Sequence, residues 1–372
     1  MAKQAWLSRR GFVRMMGLAP MAARATWLRA VLTPGRTRLA FVGAMGDSHG
    51  IHVFAIDGEQ WKLQQVIASE SPVSLALHPT GKSLYVLHEV SEHEGLPTGA
   101  VEAYGVEVGS GRLTSLGRRG LALSATMPRH LAVAPDGSRL AVAVHGGGAY
   151  NLLPIETDGR VGRVCGIVKE TGCGPIMEHQ ETAHPQMVVF DPSGERVIGT
   201  DLGSDRLSVL ALKDGLTLHG RHAMQAGSGP QCIALHPNGD LLYVGHALDG
   251  SIAGFRYDAV AGTITHRLPR IAGGYRNALA IHPTGDFLYA SGDGEVTVWR
   301  IEAVTGALSK LQSRRVDADE VRAVAVLSDG SGVVVLTAEG VRRMHVDAAS
   351  GRLSQAALVA GVPGARSIAI QE

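Results

Sequence analysis

Imidazole, carboxylate and guanidinium side chains fall at two recurring positions of this 372-residue chain, and the stretches between them are apolar. One set precedes an apolar run: Arg129-His130, His184-Pro185-Gln186, Gln231-Cys232, Arg276-Asn277, Glu320-Val321-Arg322 and Arg366. The other follows a second apolar run: His88-Glu89, His145, Asp201, His246 and Asp293. Glu181 stands three residues before His184. Polar and titratable groups gathered at one phase of a repeat mark a binding or catalytic site rather than scatter. Arg129, Arg276, Arg322 and Arg366 occur near equivalent places, and a guanidinium fork matches a carboxylate or phosphate. As paired charges on a wet rim they would add little to stability, so anion recognition is the stronger reading.

Other candidates have plainer readings. His78, His236 and His282 each open a His-Pro turn and read as structural. His130 fits either a bond to a neighbouring element or a place in the site. His179 reads as a solvated loop residue, and Trp61, Trp299 and Tyr104 fit internal packing.

The elements that position these residues come from one block, seen as SPVSLALHPTGKSLYVL from Ser71, MPRHLAVAPDGSRLAVA from Met127 and HPQMVVFDPSGERVIGT from His184. It returns from Gly229, from Tyr275 and, worn, from Glu320. Each copy is two apolar strands joined by a Pro-x-Gly turn, in which proline presets φ and glycine tolerates positive φ. The turn positions 79, 135, 192, 237, 283 and 328 lie 56, 57, 45, 46 and 45 residues apart. A short alternating strand follows each copy, then a further strand often opened by Gly-x-Leu. Four-stranded units at this period predict an all-β propeller.

Six units are complete, and the chain ends in ARSIAI, which matches only a first strand. At the other end TRLAFVGAM, GIHVFAID and WKLQQVI supply the remaining three. Joining them makes a seven-bladed β-propeller over 36–372, closed by a C-terminal innermost strand so that few sheet edges remain open. Insertions are expected at roughly His88–Gly99 and Cys165–Ala183.

Formal net charge of +1 gives no overall drive toward nucleic acid. No apolar stretch is long enough to predict a membrane span. Residues 1–35 do not fit the blade pattern. Ser8-Arg9-Arg10-Gly11-Phe12 followed by MMGLAPMAARA resembles a twin-arginine export signal, with Ala23-Arg24-Ala25 as a cleavage site. That predicts recognition of the precursor by the twin-arginine machinery and a periplasmic location, against a basic tail on a cytoplasmic protein. Cys165 and Cys173 could pair in an oxidising compartment, although unpaired thiols are the simpler reading. None of the three cysteines has metal-site spacing, and no metal or other cofactor is expected.

The segments HPTGKSLYVLHE, PRHLAVAPDGSRLAVAVHGGG and, above all, GCGPIMEHQETAHPQMVVFDPSGERVIGTDLGSDRLSVL resemble the bacterial seven-bladed propeller lactonases. That family includes 6-phosphogluconolactonases and relatives among muconate-lactonizing cyclases, and the resemblance covers about 37–370. Its pattern runs Gly-Pro, Arg-Gln, Pro-His-x-His and Asp-Leu-Gly-x-Asp. Gly174-Pro175, Gln180, His184 and Asp201-Leu202-Gly203-Ser204-Asp205 match it, as does Glu89 after LYVLH. His179, Ala183 and Gln186 replace its arginine, proline and second histidine. Gln231-Cys232, His246-Ala247 and Gly292-Asp293 also depart from it.

The resemblance implies a metal-independent lactonase acting on a sugar-acid lactone, phosphorylated or, for an exported member, free. Such hydrolysis needs a base to activate water and a donor for the oxyanion. Glu181, His184 and Glu89 are the base candidates. Arg129, His130, Gln186, Asp201, Arg276, Asn277 and Arg322 are the substrate-binding candidates. The departures leave two alternatives: an exported propeller that binds a small anion or a protein partner without catalysis, and a carboxymuconate cyclase-like enzyme.

Overall fold

A computed structural model describes residues 38–213, 215–273 and 277–371. The proposed signal and Arg276 therefore lie outside the described residues. Seven antiparallel four-stranded sheets follow one another around a ring. Six are built from consecutive strands, each running from the channel outward. The seventh takes its inner strand, Ala365–Gln371, from the C-terminus and the next three, Arg38–Ala44, Gly50–Asp57 and Gln60–Ile67, from the N-terminal side. Ser367 pairs with Gly43, and Gln371 with Leu39. The expected closure is present.

Apolar alternation explains the core. Seven buried clusters occur, each shared by two neighbouring blades. Second-strand residues such as Tyr85, Tyr243, Tyr289 and Val334 are completely buried. The Pro-x-Gly turns behave as their residue types require: their glycines, Gly81 to Gly330, have φ between +69° and +84°. The His-Pro histidines clamp blade to blade. His78, His236 and His282 each reach the carbonyl of the corresponding glycine in the next blade, Gly137, Gly285 and Gly330, at 3.2, 2.9 and 3.1 Å. Trp299 and Tyr104 are buried, and Trp61 packs on Phe54 with ring centroids 5.9 Å apart.

One expectation needs correction. The second insertion begins later than Cys165, because Gly166–Lys169 is the outer strand of its blade, paired with Ala149–Leu152. Only the stretch beyond Lys169, with a short helix Met177–Gln180, is added to the blade. Cys165 and Cys173 are both free and exposed. Among the described residues no helix is long and apolar enough to cross a membrane.

Candidate active site

One inner-strand position, repeated around the ring, builds the site. In six blades the ladder between inner and second strands slips by one residue at the end where the inner strand begins. The extra residues are Val73, Arg129, Gln186, Gln231, Arg322 and Arg366. In the remaining blade the inner ladder is short, Leu279–Ile281, and Asn277 holds the equivalent repeat position. A bulge removes its extra residue from the ladder and re-aims the side chain. All seven line one cavity of about 650 Å³, which therefore lies on the ring axis.

The ring is chemically divided. Gln186, Gln231 and Asn277 occupy three successive blades as an amide arc. Arg322, Arg366 and Arg129 lie on the other side, with Val73 between the last two. Arg129 is paired with Glu89 at 2.5 Å and Arg322 with Glu320 at 3.1 Å. Arg366 is exposed and pairs with no carboxylate among the described residues.

The inserted loop brings Glu181 to this ring. Buried Gln180 anchors it: its side-chain amide donates to the Leu202 carbonyl at 2.8 Å and accepts from the Ile176 N–H at 3.2 Å. The next residue, Glu181, is thereby left at the cavity wall with its side chain about half exposed. His184 is fixed through its backbone. Its N–H donates to Asp201 at 2.6 Å, and its carbonyl accepts from Leu202 N–H at 3.1 Å and the Gln186 amide at 3.1 Å. Gly203 permits this approach, since a Cβ there would strike the Thr182 carbonyl and come within 2.8 Å of the His184 nitrogen.

The His184 ring lies between two acceptors. Nε2 is 3.0 Å from Glu181 Oε1, and Nδ1 is 3.3 Å from the His145 carbonyl. Contacts at both nitrogens fix the ring, and the one at Nε2 holds the Glu181 carboxylate in place. The His145 ring stacks on it at 4.2 Å with 16° between planes.

Electrostatics separate the titrating groups. The Glu181 carboxyl is held below the usual range by its own backbone N–H and by His184. Burial, helped by the charges of His184 and Arg129, lowers His145 to about 4. Burial lowers His130 to about 4 as well. Burial pushes Asp201 up, against the hydrogen bonds from Ser204 and His184.

Of the residues singled out in the sequence, Arg129, His130, Glu181, His184, Gln186, Asn277 and Arg322 share the cavity wall. Of the residues given a catalytic or binding role, two do not reach it. Glu89 sits behind Arg129, and its Oε1 accepts from that guanidinium. Asp201 is buried beneath the loop, where it accepts from the His184, Gly203 and Ser204 N–H groups and the Ser204 hydroxyl. It shapes the wall rather than forming it. His145, Gln231 and Glu320 had the right repeat phase but no assigned role, and all three line the cavity, as does Arg366, read with the anion-binding arginines. His179, read as a loop residue, is exposed and yet lines it too. Glu178 and Val73 were missed; aligning Val73 with Arg129 in the repeat would have found it.

The sequence model of the seven-bladed β-propeller lactonases matches residues 38–370, the whole ring. The chain belongs to that lactonase family. A 6-phosphogluconolactonase of Bacillus subtilis is 30% identical over 227 residues, 60% of this chain and 64% of the relative. One of Formosa agariphila is 26% identical over 58% of this chain and 63% of the relative. The chain thus spans less than two thirds of the length of these curated relatives. Among solved structures, a Bacteroides fragilis chain superposes with a TM-score of 0.83 at 21% identity, over 91% of this chain and 99% of that one. The periplasmic gluconolactonase of Pseudomonas aeruginosa gives 0.80 at 22%, over 90% and 99%. At these identities the superpositions establish the shared fold.

Proposed function

We propose that this member of the propeller lactonases hydrolyses a sugar-acid lactone, and that the substrate is unphosphorylated. The observation that carries the reaction is the ionised Glu181 held by His184 at 3.0 Å on the wall of a cavity lined by hydrogen-bonding groups. Family membership and the 6-phosphogluconolactonase names of its relatives support the reaction class. Glu181 accepts a proton from water as the water attacks the lactone carbonyl, and His184 keeps the carboxylate charged and aimed. Sugar lactones are reactive esters, so a base worth about 10²–10⁴ in rate suffices. Gln186, Gln231 and Asn277 suit the sugar hydroxyls, since an amide both donates and accepts.

Charge supports the unphosphorylated substrate. Two of the three described ring arginines are already paired with carboxylates, and Glu178 and Glu181 add further negative charge. A phosphate dianion would meet Arg366 as the one uncompensated described cation of the ring. A carboxylate product is better matched to a single guanidinium. The likeness to a fold neighbour named as a gluconolactonase agrees with this choice.

Lactone panels assayed above spontaneous ring opening test the reading. Wild-type protein should open gluconolactone-type substrates in preference to their 6-phosphates. Glu181→Gln and His184→Ala should each lower kcat by about 10²-fold or more. Full activity in both variants rejects the assignment. A wild type that binds sugar acids but opens no lactone rejects catalysis.

A further inference from the structure

His145 is a cavity-wall histidine to which no role follows from the base and the anion-binding residues. It stacks on His184, and its ring has two different nitrogens. Gln186 decides which of them carries the proton. The Gln186 amide nitrogen lies 3.1 Å from the His184 carbonyl, which only accepts, so this end of the amide is the NH₂ group. The same nitrogen is 2.8 Å from His145 Nδ1. Nδ1 must therefore be the acceptor, and the ring proton resides on Nε2. Nε2, the nitrogen farther from the backbone, is hydrogen-bonded to no described residue, in a ring that lines the cavity. A donor with fixed orientation and no protein partner, one stacked ring away from Glu181, is placed for an oxygen of the ligand.

We propose that His145 is the catalytic electrophile, donating through Nε2–H to the lactone carbonyl oxygen as that oxygen gains negative charge. This rests on the lactonase reading and names the oxyanion donor that reading lacks. Glu181 removes a proton from water, and the hydroxyl oxygen bonds to the carbonyl carbon. The carbonyl π pair moves to the oxygen facing His145. When the tetrahedral intermediate collapses, the ring C–O bond breaks and the leaving oxygen takes the proton held by Glu181. Water and lactone become a hydroxy acid, and no oxidant, reductant or cofactor is consumed. His145 gives up no proton. Its depressed basicity, at about 4, keeps it a neutral donor near neutral pH, where Glu181 is ionised. Of the groups facing it, His184 and Arg129 oppose a second proton and Glu181 favours one.

The test compares wild type, His145→Phe and His145→Gln on the best lactone substrate. Phenylalanine keeps a stacking ring without the donor, and glutamine restores an N–H. Loss of one oxyanion donor should lower kcat by about 10²–10³-fold in the phenylalanine variant, with KM nearly unchanged. The glutamine variant should recover at least about tenfold of that loss. A residue that only packs against His184 would show the reverse order, since phenylalanine stacks better. A phenylalanine variant with wild-type kcat overturns the assignment and leaves the lactonase reading standing. A wild type inactive on every lactone overturns both. Should the phenylalanine variant fail to fold, imidazole ¹⁵N spectra of the wild type at pH 6 decide. The Nε2–H tautomer supports the assignment, and an Nδ1–H or doubly protonated His145 overturns it.

Discussion

The His184 backbone N–H donates to the Asp201 carboxylate at 2.6 Å, joining the loop that carries Glu181 to the second strand of the same blade. Asp201 is fully buried and accepts three N–H groups and one hydroxyl. Truncating it would strand those donors, each costing about 1–3 kcal/mol when left unpaired. Asp201→Ala should lower Tm by several degrees and kcat by tenfold or more, although Asp201 touches no substrate in this arrangement. Asp201→Asn, which keeps one acceptor oxygen, should lose less of both. Equal stability of alanine variant and wild type in thermal melts would show that the loop is held by other contacts.

Acid should weaken the ring in two stages. Burial holds His130 and His145 near 4, below their usual 6.5, so the folded state refuses protons that the unfolded chain accepts. Their contribution is complete above about pH 6.5 and is lost as pH falls toward 4, at no more than about 1.4 kcal/mol per pH unit each. Glu102 acts at lower pH. Burial works to raise it, but hydrogen bonds from His88, Ser115 and Arg118 hold it at about 2, so its contribution is present above about 4.5 and disappears toward 2. Urea midpoints should fall between pH 7 and 4.5, and His130→Asn should flatten that slope without changing it below pH 4.

The ring and its closure were legible because the repeat fixes both period and phase, and because each strand alternates apolar residues. The site was legible only in part. Phase placed Arg129, Gln186, Asn277 and Arg322 on one rim, but the β-bulge that turns Arg129, Gln186 and Arg322 inward leaves no residue signature of its own. Asp201 had the right phase and still points into the blade, because a carboxylate followed by Gly203-Ser204 finds backbone donors close at hand. His145 was visible as a residue but not as a donor. Its tautomer depends on Gln186, 41 positions away, which no local pattern reports.

Closure by the C-terminal strand makes the last residues a structural necessity. Ala365–Gln371 is the inner strand of its blade, with Ile368 and Ile370 packed against the cluster that includes Leu336 and Val341 of the preceding blade. Its Gln371 amide also donates to the Gly81 carbonyl of the following blade at 3.2 Å. Removing residues 365–372 would open a sheet edge and uncover apolar surface on both sides. The truncated chain should be recovered largely insoluble, or should melt far below the full chain. A soluble truncated chain with unchanged Tm would refute closure as a source of stability.

Export is the remaining proposal, carried by Ser8-Arg9-Arg10-Gly11-Phe12 and the weakly apolar stretch after it. A ring completed only by its last strand suits a route that carries folded proteins. It also bears on the substrate, because phosphorylated sugars are metabolites of the cytoplasm and a periplasmic enzyme would meet free lactones. Arg9→Lys combined with Arg10→Lys should leave the precursor in the cytoplasm, while the wild type is found in the periplasm without residues 1 to about 25. Fractionation followed by N-terminal sequencing of the mature protein reads both outcomes. Periplasmic protein that keeps those residues, or full export of the double variant, would overturn the signal reading, whereas wild-type protein confined to the cytoplasm would remove this support for an unphosphorylated substrate.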